Sequence, residues 1–271
     1  MNWSKAKTIL ILFLLFTNIF LLSLIINAYY KRTRVPEEVI SSAVTLLNSR
    51  SIKVAPALIP SVIDDAKIFT VENVVDDYES FAKLVLQDEI EPTDNGYLGK
   101  NASIRYKGDR FYICYTEGID TPDELKSPAD KAREYLKSIG IDPKNSEITV
   151  TNDSNGLFTV SFTQIIDKKP FFDCNISVEL DRAKIMAVYG NWFIKDDESG
   201  SQSTLESVPG LLVKFSAQNP NLSDAEIIKL KSGYAVDETE SSIFHKQTMI
   251  IPVLEITMSD KSKYYIDARS N

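Results

Sequence analysis

The sequence predicts an α+β protein: an N-terminal transmembrane helix followed by an exported region of repeated antiparallel β-sheets with helices packed on one face. Three observations predict it. Thr8 to Ile26 is a run of nineteen residues without a charge. Beyond it, turn signals flanked by β-branched and aromatic runs recur sixty residues apart. Between those runs lie apolar stripes at helical spacing, opened by Pro, Ser or Thr.

The apolar run is bounded by Lys5 and Lys7 before it and by Lys31, Arg32 and Arg34 after it. About 20 apolar residues rising ~1.5 Å each cross a hydrocarbon layer of ~30 Å. Tyr29 and Tyr30 stand where an aromatic belt meets the head groups. The run exceeds the usual apolar core of a secretory signal, and Ile26-Asn27-Ala28 is a poor cleavage site, so a retained anchor is expected. No cysteine stands near enough for a lipid anchor. The expected organisation is a cytoplasmic tip over 1–7, a transmembrane helix over 8–28, a first exported lobe over 29–121 and a second over 122–271. The lobe boundary is set near Thr121-Pro122. The N-terminus is expected inside, since seven residues form no domain and export of a large C-terminal portion depends little on charge.

Within the span, Asn18 is the odd residue, and Thr17, Ser23 and Asn27 add polar points. Ser23 and Asn27 share a face at i, i+4. Two readings stand side by side: polar side chains bonding their own helix, or transmembrane contacts, with Asn18, Ser23 and Asn27 touching another membrane helix.

Composition excludes several classes. The 271 residues hold 30 Lys plus Arg against 38 Asp plus Glu, a net charge of −8. That balance argues against nucleic acid, which demands a basic footprint. From Lys31 onward the count is 28 basic and 38 acidic, net −10, a surface not drawn to anionic lipid. The 44% hydrophobic content belongs to a folded chain. With 2 Cys and 1 His, a disulfide-dense scaffold, a cysteine zinc ribbon and a multi-histidine metal site are all excluded.

The elements follow in order. Val35 to Arg50 reads as a helix, with Pro36 at its opening turn and Val39, Ala43, Leu46 and Leu47 on one face. Ser51 to Pro60, holding Pro56 and Pro60, is expected to be extended. A second helix covers Asp76 to Gln87, where Tyr78, Phe81, Leu84 and Val85 align. Then Asn95-Gly96-Tyr97-Leu98 returns as Asn155-Gly156-Leu157-Phe158, and without a gap Phe111-Tyr112-Ile113-Cys114 falls on Phe171-Phe172-Asp173-Cys174. Each copy reads turn, strand, charged turn, strand, the second turns being Lys107-Gly108-Asp109 and Asp167-Lys168-Lys169. A third version runs from Ile256–Met258 through Ser259-Asp260-Lys261-Ser262 into Lys263-Tyr264-Tyr265-Ile266.

Ser127-Pro128-Ala129-Asp130 offers a cap and a first-turn proline. Ala132, Tyr135, Leu136 and Ile139 follow as a stripe, and Gly140 is a stop. That helix should pack on strands over Ile148–Val150, Phe158–Ile166, Phe171–Leu180 and Ile185–Tyr189. Ser203-Thr204-Leu205-Glu206 has capping-box spacing and is expected to open a helix carrying Leu205, Val208, Leu211, Leu212 and Phe215, with Pro209-Gly210 able to delay it by a turn. Ile228 and Leu230 alternate with lysines as a strand before Gly233-Tyr234. Asp237 to Ser242 reads as a loop, and Gln247 to Met258 as a strand.

No catalytic constellation emerges, and the protein is expected not to be an enzyme. His245 lies in a polar stretch without a catalytic signature, and no G-x-S-x-G occurs. The pairs Asp64-Asp65, Asp76-Asp77 and Asp196-Asp197 sit in turn-like surroundings without the ligand spacing of a calcium loop. No phosphate-binding or dinucleotide fingerprint is present, so no cofactor and no metal are expected. Cys114 and Cys174 fall inside apolar strands at matching positions. They read as small buried hydrophobes, with a disulfide between hairpins left open by the exported location.

Both ends of the chain carry a likeness. Asn2-Trp3-Ser4-Lys5-Ala6-Lys7-Thr8-Ile9 runs straight into the span. Near the other end stand Gly233-Tyr234, Pro252-Val253-Leu254-Glu255-Ile256 and Lys263-Tyr264-Tyr265-Ile266-Asp267-Ala268. In these stretches the chain resembles the YycI family, relatives of YycH and accessory regulators of the WalK–WalR two-component system of Firmicutes. Leu254 stands where an aromatic is expected and Asp267 where Asn is commoner, the marks of a divergent member. The resemblance implies a non-enzymatic protein that associates with a YycH-like protein and a WalK-like sensor histidine kinase. It would tune that kinase, and through it wall metabolism. The implied contacts are among transmembrane helices and exported domains. From the residues, the exported lobes could also bind at sheet edges or at the aromatic strands around Phe111, Phe171 and Tyr264, although each of these side chains reads first as core packing. The rival reading from the residues is an exported wall-binding or wall-processing protein using one of the carboxylate pairs. A protease-inhibitory or chaperone-like domain is a third, resting on fold analogy.

Overall fold

Caps and prolines set where the helices of the computed structural model begin. It describes residues 3–62, 66–87, 90–121, 126–181, 184–196, 200–222, 224–237 and 247–270, with 4–6 and 29–32 described by their backbone alone. Helix α1 (Trp3–Thr33) is followed by α2 (Glu37–Ser49), which starts directly after Pro36. Strand β1 (Ile52–Val54) leads into a single 3-10 turn over Pro56–Leu58, so the stretch expected to be extended is part strand and part tight turn. Proline's fixed φ suits the first position of such a turn as well as an extended chain.

Strand β2 (Ala66–Asn73) precedes α3 (Tyr78–Leu86). The Asp77 carboxylate caps α3, accepting from the Glu79 and Ser80 amides at 3.1 Å each, and Gln87 at φ 55° ends it. Four strands follow: β3 (Glu91–Thr93), β4 (Gly96–Leu98), β5 (Ala102–Lys107) and β6 (Arg110–Asp120). Helix α4 (Pro128–Ser138) opens with the Ser127 hydroxyl accepting from the Asp130 amide. Next come β7 (Ser146–Asn152), β8 (Leu157–Ile166), β9 (Lys169–Asp181), β10 (Lys184–Gly190), β11 (Phe193–Lys195) and β12 (Ser201–Ser203). Helix α5 (Val208–Gln218) and strands β13 (Ala225–Val236), β14 (Gln247–Met258) and β15 (Lys263–Asp267) complete the chain.

The capping box at Ser203–Glu206 does not open a helix. Ser203 instead ends β12, paired with Ala66 of β2. Helix α5 begins at Val208 with Ser207 as its cap and Pro209 in the first turn, where a missing N–H costs nothing. The three hairpins appear as expected. Asp167 and Lys168, at φ 49° and 65°, form the two-residue turn between β8 and β9, the left-handed pair that matches strand twist. Gly108 at φ 62° turns β5 into β6, and Lys261 at φ 71° lies between β14 and β15.

The chain forms two compact units, neither continuous in sequence. The first comprises Met1–Asp65, Leu205–Leu230 and Thr257–Ser262. In it α2 packs on α5 and on β1. Leu47, Leu212 and Phe215 are wholly buried, and β1 runs parallel to the start of β13 with Ile52 opposite Ala225.

The second unit comprises Ala66–Thr204, Lys231–Ile256 and Lys263–Asn271. Its strands follow the order β11-β2-β14-β13-β9-β10-β6-β5-β4-β3, with β12 also on β2, β15 on β14, and β7–β8 added at β9. Most pairs are antiparallel; β13 meets β9 in parallel at Tyr234 and Phe171. Helices α3 and α4 share one face of this sheet. Phe81 of α3 lies 5.1 Å from Phe111, and Tyr135 of α4 hydrogen-bonds Tyr115 two positions along the same face of β6. Thr121, at the expected lobe boundary, falls inside this unit, because β6 before it pairs with β10 after it from Lys184–Asp120 to Gly190–Phe111. Pro122 lies outside the described residues.

A register shift marks β9. Opposite Thr163 and Ile165 of β8 stand Asn175 and Pro170, so β9 advances five residues while β8 advances two. This bulge brings both Phe171 and Cys174 to full burial, although three positions apart on a regular strand would point to opposite faces. On β6, which has no such shift there, Phe111 is buried and Cys114 exposed.

Gly190 closes the same region. Its φ is 141°, and a Cβ there would meet the Asn175 carbonyl oxygen at 2.1 Å. Gly190→Ala is expected to destabilise the fold by on the order of 3 kcal/mol. Gly156→Ala, at φ 83° with open space around it, is expected to cost only about 1 kcal/mol. Urea denaturation of both variants beside the unaltered protein measures the contrast.

Candidate functional site

The most unusual surface is α1 itself. Lys7–Ala28, 22 residues, is long and apolar enough to cross a membrane, and none of it is buried. Its side chains, from Ile9 to Ile26, are largely exposed, which water would penalise and lipid would accept. The Thr17 hydroxyl donates to the Phe13 carbonyl at 2.9 Å, so it is satisfied inside its own helix. Asn18, Ser23 and Asn27 are exposed and have no hydrogen-bond partner among the described residues. The helix does not bring the three together. At 3.6 residues per turn Ser23 and Asn27 lie on one flank, and Asn18 lies about half a turn from Asn27. Tyr29 and Tyr30, expected at the head groups, have side chains outside the described residues.

The residues that carry the C-terminal resemblance gather on β13, β14 and β15 of the second unit. A Cβ at Gly233 would meet the Phe172 ring at 2.3 Å and the Pro170 carbonyl oxygen at 2.6 Å, so only glycine lets that ring seat. Tyr234 is fully buried with its ring 5.5 Å from that of Phe69. Glu255 is only 2% exposed, and its carboxylate accepts from Lys263 Nζ at 3.0 Å and from the Tyr265 hydroxyl at 3.2 Å. Burial and the neighbouring Glu255 carboxylate push the Tyr265 phenol up to about 12. The ring of Tyr265 lies 5.2 Å from Phe172, which packs against the small cluster of Ala235, Ile251 and Val253. Nearby, Arg269 holds Asp237 at 3.0 Å and grips Asp267 through Nε and Nη2. The arrangement is a set of paired charges that pins a hairpin to its neighbours.

The other sequence candidates take structural places. Of the aromatic residues singled out, Phe111 and Phe171 are core residues, in line with the core packing expected of each, and Tyr264 is half-buried. The Asp77 carboxylate is spent on capping α3. Hydrogen bonds from Ser80 lead the causes that hold its carboxyl below the usual range. Asp64-Asp65, Asp197 and His245 lie outside the described residues. Among the described residues no three His, Cys, Asp or Glu side chains converge as a metal site.

Both cysteines are free thiols. Strand β10 separates β6 from β9, a gap of roughly 9–10 Å, beyond the ~7 Å Cα reach of a disulfide. Cys174 Sγ donates to Gln164 Oε1 at 2.9 Å, and Gln164 Nε2 in turn donates to the Phe193 carbonyl at 2.7 Å. Burial raises the Cys174 thiol well above its ordinary value.

Sequence reasoning missed two polar features. One centres on Asn191, 1% exposed, which donates to Asp109 Oδ2 at 2.6 Å and accepts from the Asn175 amide at 3.2 Å. With Asn73 and Tyr78 donating to the Asp109 and Gly108 carbonyls at 2.9 Å each, it clamps the β5–β6 turn. The Gly190-Asn191 pair was the only local signal for it. The other is an open cavity of about 370 Å³ in the first unit, at the ends of α2 and α5. Arg50 lines it and donates to Ser216 Oγ at 2.9 Å, with Ile52 and Leu222 as apolar wall.

No protein-family model matches the chain, and no curated protein matches it. Among solved structures it is similar to an uncharacterized protein from Eubacterium rectale ATCC 33656, at 12% identity and a TM-score of 0.48, over 81% of this chain and 89% of that one. It is also similar to YycH from Bacillus subtilis, at 12% identity and a TM-score of 0.47 over 73% of this chain. The match spans about half the length of that YycH, 52% of it.

Two measurements check this chemistry. A maleimide is expected to label Cys114 in the folded protein and Cys174 only after unfolding; equal labelling rates would contradict the buried thiol. The difference between the alkaline titrations of the unaltered protein and Tyr265→Phe should show a phenol near 12, moved down by Glu255→Gln. Because the folded value lies above the ordinary phenol value of 10.0, the stabilisation from this phenol is full below pH 10 and lost as pH rises toward 12.

Proposed function

We propose that the protein is a membrane-anchored, non-enzymatic regulator of a cell-wall-linked sensor histidine kinase of the WalK kind. It acts beside a YycH-like protein through contacts of its transmembrane helix and its exported units. The N-terminal tip lies in the cytoplasm and the region after α1 outside the cell membrane. The observation that carries the reading is α1: a helix with an exposed apolar surface on which Asn18, Ser23 and Asn27 have no bond partner among the described residues. In hydrocarbon each such group gains from a neighbouring helix that supplies a donor or acceptor, by ~0.6–2 kcal/mol. The likeness of both chain ends to the YycI family supplies the identity of the neighbours.

In this reading the kinase senses the regulator within the bilayer, where a small change in helix packing alters the relation of its own spans. The exported units add contacts through strand edges and polar side chains. Their net negative charge keeps them off anionic lipid.

Exchange of Thr8–Ile26 for an unrelated apolar span is the direct test. Loss of most of the kinase co-purified from detergent-solubilised membranes is the expected result, with the exported units still folded by circular dichroism. Co-purification unchanged by the exchange would remove the transmembrane contact from the mechanism.

A further inference from the structure

Asn18 sits inside a regular pattern. Ile11, Leu14, Asn18, Leu21 and Ile25 follow one another at intervals of three and four, the a and d positions of consecutive heptads, and Ala28 is the next d. Ile11, Asn18 and Ile25 occupy a, and Leu14 and Leu21 occupy d. The four apolar members are each half or more exposed on α1, forming one continuous unpartnered stripe. We propose that this stripe is a self-pairing seam, and that its occupant is a second copy of this chain lying parallel, with the two Asn18 amides bonded to each other. The inference rests on the membrane reading above and goes beyond it by naming the neighbour of one helix face.

Two observations select a second copy. β-branched residues at a with Leu at d favour two parallel strands, and a single Asn at a sets register and strand number. The amide is also self-complementary: it offers two N–H donors and an acceptor oxygen, and lipid answers neither. Two parallel copies related by a twofold axis put Asn18 at the same depth by construction. No charge lies between Thr8 and Ile26 to oppose the approach. Lys7, one heptad before Leu14, ends the seam, with its ammonium 5.5 Å from the centre of the Trp3 ring.

The seam divides the work of the polar residues. Ser23 and Asn27 lie on the flank opposite Asn18, so pairing through Asn18 leaves them facing a different helix. A dimer thereby offers two outward polar faces, one per copy.

The test uses the full-length chain in its membrane, with Cys114→Ser to remove the exposed thiol. Single cysteines are introduced by Leu14→Cys, Leu15→Cys, Leu21→Cys, Leu22→Cys or Ser23→Cys and oxidised in place. Disulfide-linked dimers from Leu14→Cys and Leu21→Cys, with little from the other three, are expected. In that background Asn18→Leu should weaken self-association about three- to thirty-fold, as judged by dilution into lipid, and Asn18→Gln should restore most of it. Strongest linkage at Leu15→Cys and Leu22→Cys, with trimers or tetramers, would place Asn18 at d and overturn the dimer. Dominant linkage at Ser23→Cys, or none while the chain stays in washed membranes, would overturn the seam and leave the anchor standing. Release of a shortened product without α1 would defeat both readings.

Discussion

The second unit depends on one irregularity, the extra residues that β9 carries between Pro170 and Asn175. They let Phe171 and Cys174 both reach the core while Phe172 and Asp173 turn away from it. Phe171 then meets Tyr234 where β13 joins the sheet, and Asp173 Oδ2 accepts from the Val236 amide at 2.8 Å. Phe172 fills the space that Gly233 leaves and lies against Tyr265. A regular strand would send alternate residues to alternate faces and break this joint at Phe171 or at Cys174. The bulge is thus what attaches β13 to β9.

The joint explains why the residues of the C-terminal resemblance stand where they do. Gly233 is demanded by a ring, Tyr234 by burial, and Glu255 by the lysine and tyrosine it holds. Each is used in packing strands together. The apolar side chains of α1, by contrast, are satisfied only in lipid or against other helices.

On α1 the energetic logic is reversed relative to the units beyond it. In the units, polar groups are the costly ones to bury, and Asn191, Gln164 and Glu255 each have bonded partners. In a bilayer the apolar surface is at home and the amide of Asn18 is the group that needs a partner. Any contact that α1 makes in lipid then has its specificity in a few polar atoms.

Much of the local structure was legible in the chain. The apolar run at Thr8–Ile26, the Ser127 cap, the turns at Gly108 and Asp167-Lys168 and the bounds of β14 all follow from short-range rules. So did the polar residues of the span, though only the helix showed that Asn18 faces away from Ser23 and Asn27. What the tertiary structure alone decided depends on partners distant in sequence. Ser203 had the spacing of a helix cap and became the end of a strand because Ala66 pairs with it. Cys114 and Cys174 had matching sequence settings and opposite exposures because β9 is bulged between Phe171 and Cys174, whereas β6 runs in regular register from Phe111 to Cys114. The two units are assembled from separated segments, with 205–230 and 257–262 joined to the N-terminal part and 231–256 to the sheet. Caps, turns and periodicity act over a few residues, so the amino-acid order reveals them; register and strand neighbours are set by which distant surfaces bury one another, and only the folded chain can choose those.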